Sequence, residues 1–118
     1  MYNEGVRTFT AAEALAAHRR VKLSTLVGEV EYADAADDFI GVTEDAAAIQ
    51  TPVAVKLHNA PGTVEVECAG AILVNTTIYG AADGKVASAS TGTDKFGKAL
   101  EAGSGDGAVI EANIDKAA

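Results

Sequence analysis

Apolar and polar positions alternate most cleanly over two neighbouring stretches. Val53, Val55 and Leu57 alternate with Ala54, Lys56 and His58. After Asn59-Ala60-Pro61-Gly62, Val64, Val66 and Cys68 alternate with Glu65 and Glu67. A period of two puts every second side chain on one face, so the pattern predicts two strands joined as a hairpin with one face buried. Upstream, Val21–Val27 reads as a strand ended by Gly28. Glu29–Tyr32 reads as its continuation beyond the turn, and Phe39-Ile40-Gly41-Val42 as another short apolar piece. Downstream, turn signals at Asp83-Gly84 and Gly103–Gly107 bracket strands near Ile78–Tyr79, Val86–Ser88, Phe96–Leu100 and Ala108–Ile114. Many short strands with frequent glycine turns predict a mainly β protein, a compact barrel or sandwich. One α-helix is expected at Ala11–Ala17, because Thr10-Ala-Ala-Glu13 has the form of a capping box. Its one large apolar residue, Leu15, suits a plug or lid lying on a sheet. Residues 1–9 show no period and read as a flexible arm anchored by Tyr2, Val6 and Phe9, leaving 10–118 as a single β domain.

A weak internal repeat sharpens this picture. A shift of 57 residues lays Leu15 on Ile72, Val21 on Ile78, Phe39 on Phe96, Glu44 on Glu101, Val53 on Ile110 and Leu57 on Ile114. Inward positions fall on inward positions, which matters because a slip of one residue turns a strand's apolar set to the wrong face. The expectation is two similar β units closed on each other, with Ala11–Ala17 corresponding to Gly70–Val74.

Composition adds a thin core. Of 118 residues 48% are hydrophobic, but 25 are alanine, six are Phe or Tyr and none is Trp. The net charge of −8 is unevenly placed. Residues 1–22 carry Arg7, Arg19, Arg20 and Lys22 against Glu4 and Glu13, whereas the segment from Leu23 to Val55 holds seven acids and no base. Such a balance argues against duplex nucleic acid, whose binding rests on Lys and Arg neutralising phosphates. No stretch approaches the ~20 apolar residues of a membrane span, and the first residues lack the pattern of a signal peptide. The expected protein is soluble and made in the cytoplasm.

Candidate chemistry is sparse. Catalysis by a nucleophile or by paired carboxylates needs groups arranged in a cleft. His58 reads as a turn residue, His18 as the C-terminal residue of the predicted helix, where an imidazole meets the dipole favourably, and Cys68 as a buried small apolar residue. A single cysteine excludes an internal disulfide, and with two histidines it gives no zinc spacing. Asp34-Ala-Ala-Asp37-Asp38 lacks the alternating ligands, central glycine and closing glutamate of a calcium loop. Gly103–Gly107 is followed by no Lys and Ser/Thr of a phosphate loop. The sequence therefore predicts no enzyme, no metal site and no cofactor.

The ordered set Thr10-Ala-Ala-Glu-Ala-Leu-Ala-Ala17, Arg20-Val-Lys-Leu23, Ile40-Gly-Val-Thr-Glu-Asp-Ala-Ala47 and Val53-Ala-Val-Lys-Leu57 resembles the small capsid cement, or head decoration, proteins of tailed bacteriophages. Cys68-Ala-Gly-Ala-Ile72, Ile78–Val86, Phe96-Gly-Lys-Ala-Leu-Glu101 and Val109-Ile-Glu111 continue the match through the second half. The chain departs from that pattern at Ala33–Asp38, which is longer and more acidic. The resemblance implies a virion protein, often trimeric, on the exterior of the expanded capsid. Such a protein holds neighbouring copies of the major capsid protein together and has no catalytic residues. On that footing the arm residues Tyr2, Val6, Arg7 and Phe9 are the candidate capsid contacts, adding a strand to a capsid edge. The alternative is a small β binding module for glycan or a cell-surface assembly, for which Tyr2, Tyr32 and Tyr79 would have to cluster.

Overall fold

The computed structural model describes residues 6–35, 37–58, 63–88 and 95–114, and over them the chain is almost wholly β. The first five strands are β1 (Val6–Ala11), β2 (Arg20–Leu23), β3 (Glu29–Tyr32), β4 (Gly41–Thr43) and β5 (Pro52–Leu57). They pair in the order β1-β3-β2-β4-β5 and close into a barrel, because β1 is antiparallel to β5 on one side and parallel to β3 on the other. The second five are β6 (Val64–Glu67), β7 (Thr77–Gly80), β8 (Val86–Ala87), β9 (Lys95–Ala99) and β10 (Val109–Ile114). Their order, β6-β10-β9-β7-β8, is the same circuit, its ends linked by a single parallel bridge between Cys68 and Val86. The fold is a tandem of two like units, a closed five-stranded barrel and a five-stranded sheet that the isolated bridge alone draws round into a second, half-closed barrel.

The repeat extends to individual hydrogen bonds. Ala11 N–H donates to Thr51 O and Gln50 N–H to Ala11 O; 57 residues on, Cys68 N–H donates to Ala108 O and Gly107 N–H to Cys68 O. His18 and Asn75, and Gln50 and Gly107, share positive φ. All seven buried residues of the first core, Phe9, Ala11, Leu15, Val21, Val30, Val53 and Val55, have counterparts in the second: Val66, Cys68, Ile72, Ile78, Val86, Ile110 and Ala112. The shift drops to 56 around Val30 and in β4, since Val21 pairs with Gly41 as Ile78 pairs with Gly97. Phe96 therefore corresponds to Ile40, and Glu44 to Leu100. That one-residue slip turns Phe39 away from its own barrel. It is buried with the second core and stacks on Phe96 at 5.1 Å between centroids and 13° between planes.

Three expectations change. The helix at Ala11–Ala17 does not form: Ala11 ends β1, and Leu15 makes a two-way backbone bridge with Ala47. The Glu13 carboxylate accepts from the Tyr32 N–H instead of capping a helix. Seven residues with one large anchor carry an unfavourable nucleation cost, and the barrel supplies better partners. The hairpin of Val53–Leu57 with Val64–Cys68 is also absent. Both strands exist with the predicted faces, but β5 lies between β1 and β4 while β6 pairs with β10, so the repeat boundary separates them. Finally, residues 6–9 are not part of a flexible arm, and residues 1–5 lie outside the described ones. From Val6 the chain is β1, in register with β5 from Val6↔Lys56 to Thr10↔Pro52, and Phe9 is buried.

Candidate functional site

The densest polar chemistry lies at the seam between the barrels. Arg20, at the start of β2, is fully buried; its Nε donates to Lys85 O at 3.0 Å and its Nη2 to the carbonyls of Ala81 (2.8 Å), Ala33 (3.0 Å) and Asp34 (3.2 Å). The guanidinium thus ties backbone of both units together, and it lies 5.6 Å from the Phe39 ring centroid. Gly80 has to be glycine beside it, because a Cβ there would stand 2.8 Å from Ala35 O and from the guanidinium. Main-chain bonds reinforce the junction: Glu67 N–H donates to His18 O, and Gly84 N–H to Ala33 O.

Arg19 holds Glu67 through Nε–Oε1 at 3.0 Å and Nη2–Oε2 at 3.3 Å, and its Nη1 donates to Asp83 O. Lys85 Nζ lies 3.5 Å from Glu67 and 2.8 Å from Asp106. Burial opposes ionisation of Glu67, but the Arg19 hydrogen bonds and the charges of Arg19 and Lys85 outweigh it and hold the carboxyl below its ordinary value of 4.5. A depressed native value means the unfolded chain takes up the proton first on acidification. The network's contribution is complete above about pH 5 and is lost as pH falls through the native value. Glu67→Gln is therefore expected to melt lower at neutral pH and to show a flatter acid limb than wild type. Melting temperatures followed from about pH 7 to about pH 3 would show this, and parallel acid limbs would contradict it.

Two grooves are found among the described residues. One, of about 270 Å³, is lined by His18, Thr43, Glu44, Lys56, Thr63 and Glu65 from both units. The other, about 250 Å³, belongs to the first barrel and is lined by Arg7, Phe9, Leu23, Ile40, Leu57 and His58. The candidate residues divide accordingly. Arg7 and Phe9 meet at the second groove, with the Arg7 guanidinium 5.2 Å from the Phe9 ring centroid. Val6 is half-buried at the start of β1, and Tyr2 lies outside the described residues. Phe9 is a core residue of the barrel rather than a free anchor. Cys68 is buried, and that burial raises its thiol pKa, as expected of an inert core position. His18 closes no helix; it sits at φ 64° with its carbonyl in the seam. Part of the acidic segment is tied to basic neighbours: Lys22 Nζ pairs with Asp37 at 2.9 Å, and Asp34 supplies its backbone carbonyl to Arg20. Among the described residues no group of three His, Cys, Asp or Glu side chains is placed to hold a metal ion.

Sequence reasoning missed Arg20 and the direction of Phe39. The one signal for them was the misfit of the repeat around Phe39–Gly41, where a shift of 57 pairs the two phenylalanines and a shift of 56 pairs Gly41 with Gly97.

No protein family and no curated protein matches the chain by sequence. Among solved structures, the chain is similar in fold to the N base of head fibre gp8.5 of bacteriophage phi29, with a TM-score of 0.77 and 18% identity over 95% of this chain and 94% of that one.

Proposed function

We propose that this chain is a non-catalytic virion structural protein of a tailed phage, bound to the outside of the expanded head and bridging major capsid subunits as a homo-oligomer, a trimer. The observation that carries this reading is the shared fold: the likeness runs through nearly all of both chains, and the other chain is named as the base of a head fibre. The resemblance of the sequence to cement proteins points the same way. The physics suits the role. Two barrels locked by a buried arginine make a stiff body, and a net charge of −8 keeps free copies soluble. With β1 committed to the barrel, the docking element contracts to the residues before Val6, with Tyr2, together with Val6 and Arg7 at the mouth of β1. Deletion should therefore stop at residue 5, since removing 1–9 would take away most of the strand that closes the first barrel.

The test is co-sedimentation of purified protein with expanded, empty phage heads lacking it. The full chain is expected in the pellet with expanded heads. Deletion of residues 1–5 combined with Arg7→Glu should leave it in the supernatant at an unchanged melting temperature. A full chain that never pellets with heads would sink the proposal.

A further inference from the structure

The seam is a head-to-tail contact: different surfaces of the repeated unit meet in it. The first barrel contributes the segment His18–Arg20, the carbonyls of Ala33 and Asp34, and Phe39. The second contributes Glu67, Gly80, the turn at Ala81–Lys85, and Phe96. A head-to-tail pair leaves one used surface free at each end. The repeat identifies both. On the first barrel the counterparts of Gly80, Ala82, Asp83 and Phe96 are Leu23, Leu26, Val27 and Ile40. The β2–β3 turn matches the β7–β8 turn bond for bond: Glu29 N–H donates to Leu26 O as Lys85 N–H donates to Ala82 O. On the second barrel the counterparts of Ala16 and Ala17, which lead into His18 at the seam, and of Glu44, which lines the first groove together with Thr63 and Glu65 of the second unit, are Leu73, Val74 and Leu100. Leu100 N–H donates to Glu111 O as Glu44 N–H donates to Ala54 O.

Among the described residues eight large apolar side chains are exposed, and six of them are Leu23, Leu26, Val27, Leu73, Val74 and Leu100. Exposed apolar groups scattered singly need no explanation, but concentration on two faces does. These two faces are the free ends of the tandem. The 250 Å³ groove falls on the first of them. Its lining residues Leu23 and Ile40 stand where Gly80 and Phe96 receive Arg20 and Phe39 in the second barrel.

From this we infer that copies of the chain associate head to tail, the Leu73, Val74 and Leu100 ledge of one seating on the Leu23, Leu26 and Val27 face of the next. The contact continues between molecules the interface already formed within one. It is not a replica: Lys95 holds the place of Phe39, so the apolar contact moves from a central plug to the rim, and a weaker, concentration-dependent association follows. A specific contact of roughly 800 Å² per partner would take about an eighth of the 6022 Å² that each chain exposes. Heterologous contacts close into rings or run on as filaments, so this inference deepens the homo-oligomer of the proposed function by naming its surfaces, while drawing only on the internal seam.

Sedimentation equilibrium of the purified chain over a concentration series tests it, apart from any phage head. Wild type should rise above its monomer mass of 11.9 kDa. Val27→Asp and Leu73→Asp, both exposed and outside the cores, should each remain monomeric with unchanged melting temperatures. Mixed one to one, the two variants should form a two-chain species and stop there, since the first retains a sound ledge and the second a sound face. Wild type that stays monomeric, variants that associate like wild type, or a mixture without the two-chain species would each overturn the inference. Head co-sedimentation reads the other proposal separately: oligomers that ignore heads would sink that one and leave this one standing.

Discussion

Replacing Arg20 with methionine or alanine should cost about 3–5 kcal/mol of stability, which for a domain of this size lowers the melting temperature by roughly 10–20 °C. The sign follows from what the guanidinium touches. Exchanging a buried ion pair for apolar residues can be neutral or stabilising when both partners are removed together. Here the named partners are the backbone carbonyls of Ala33, Asp34, Ala81 and Lys85, which stay when the side chain goes. Each buried acceptor left unmatched costs about 1–3 kcal/mol before relaxation or entry of water reduces it. Methionine fills most of the volume and restores no donor, so it should recover only the cavity part of the alanine loss. Lysine keeps the charge but has no planar fork to serve carbonyls on both sides of the seam, and it should fall between arginine and alanine. Urea denaturation of the three variants measures this. An Arg20→Met protein within about 1 kcal/mol of wild type would mean that the seam does not depend on those bonds.

The parts of this architecture legible in the sequence were those governed by local periodicity. Val53/Val55 and Val64/Val66 lie inward as their alternation requires, and the 57-residue shift found Leu15/Ile72, Val21/Ile78 and Val53/Ile110, now paired positions of two barrels. The missed parts were settled by contacts between distant residues. The capping-box pattern at Thr10–Glu13 is a local preference, outweighed by the Leu15–Ala47 bridge and by β1 pairing with β5. The hairpin across 59–62 followed from adjacency alone. The repeat argued against it, since position 58 opens a second copy of a unit whose fifth strand must return to its own first. The docking residues were only partly legible. Periodicity that is silent over Val6–Phe9 did not disclose a strand whose neighbours are Pro52–Lys56. Arg20 carries no sequence mark, because one basic residue next to an apolar strand position looks the same in a solvated strand end and in a sealed junction.

The acidic segment shows the same limit in electrostatic form. Seven acids without a base between Leu23 and Val55 read as a solvated edge, and Glu44 and Asp45 are indeed exposed. Asp34 and Asp37, however, lie on the loop that delivers carbonyl oxygen to Arg20 and a carboxylate to Lys22. The loop that carries Asp34 and Asp37 is thus part of the joint between the barrels. Its carbonyls serve that joint, while the Asp37 carboxylate pairs with Lys22 at a partly exposed edge of the first barrel.

Phe39→Ala should remove about 3–4 kcal/mol and, beyond that, uncouple the two barrels. The residue is buried in a core to which its own barrel contributes only Ala33 and Val42 besides it. Truncation forfeits the ring's burial, the stack on Phe96 and the face offered to Arg20; an aromatic pair adds about 0.5–1.5 kcal/mol beyond area alone. The first barrel keeps seven buried apolar residues, two of them large beyond valine. Units this small rarely supply more than about 3–5 kcal/mol by themselves. Joined through the seam, the barrels should unfold as one; with the plug removed, the first should open at lower denaturant than the second. Amide hydrogen exchange resolved by residue reads this directly: wild type should protect Val21, Val55, Ile78 and Ile110 to a common opening free energy, while Phe39→Ala should lower Val21 and Val55 further than Ile78 and Ile110. Because Arg20 and Phe39 touch, their losses should not add. The double variant is expected to fall short of the sum by about 0.5–3 kcal/mol, the usual range for residues in one network. Additive losses together with uniform exchange across both barrels would show that the junction is two independent contacts, and that the coupling of the barrels comes from elsewhere.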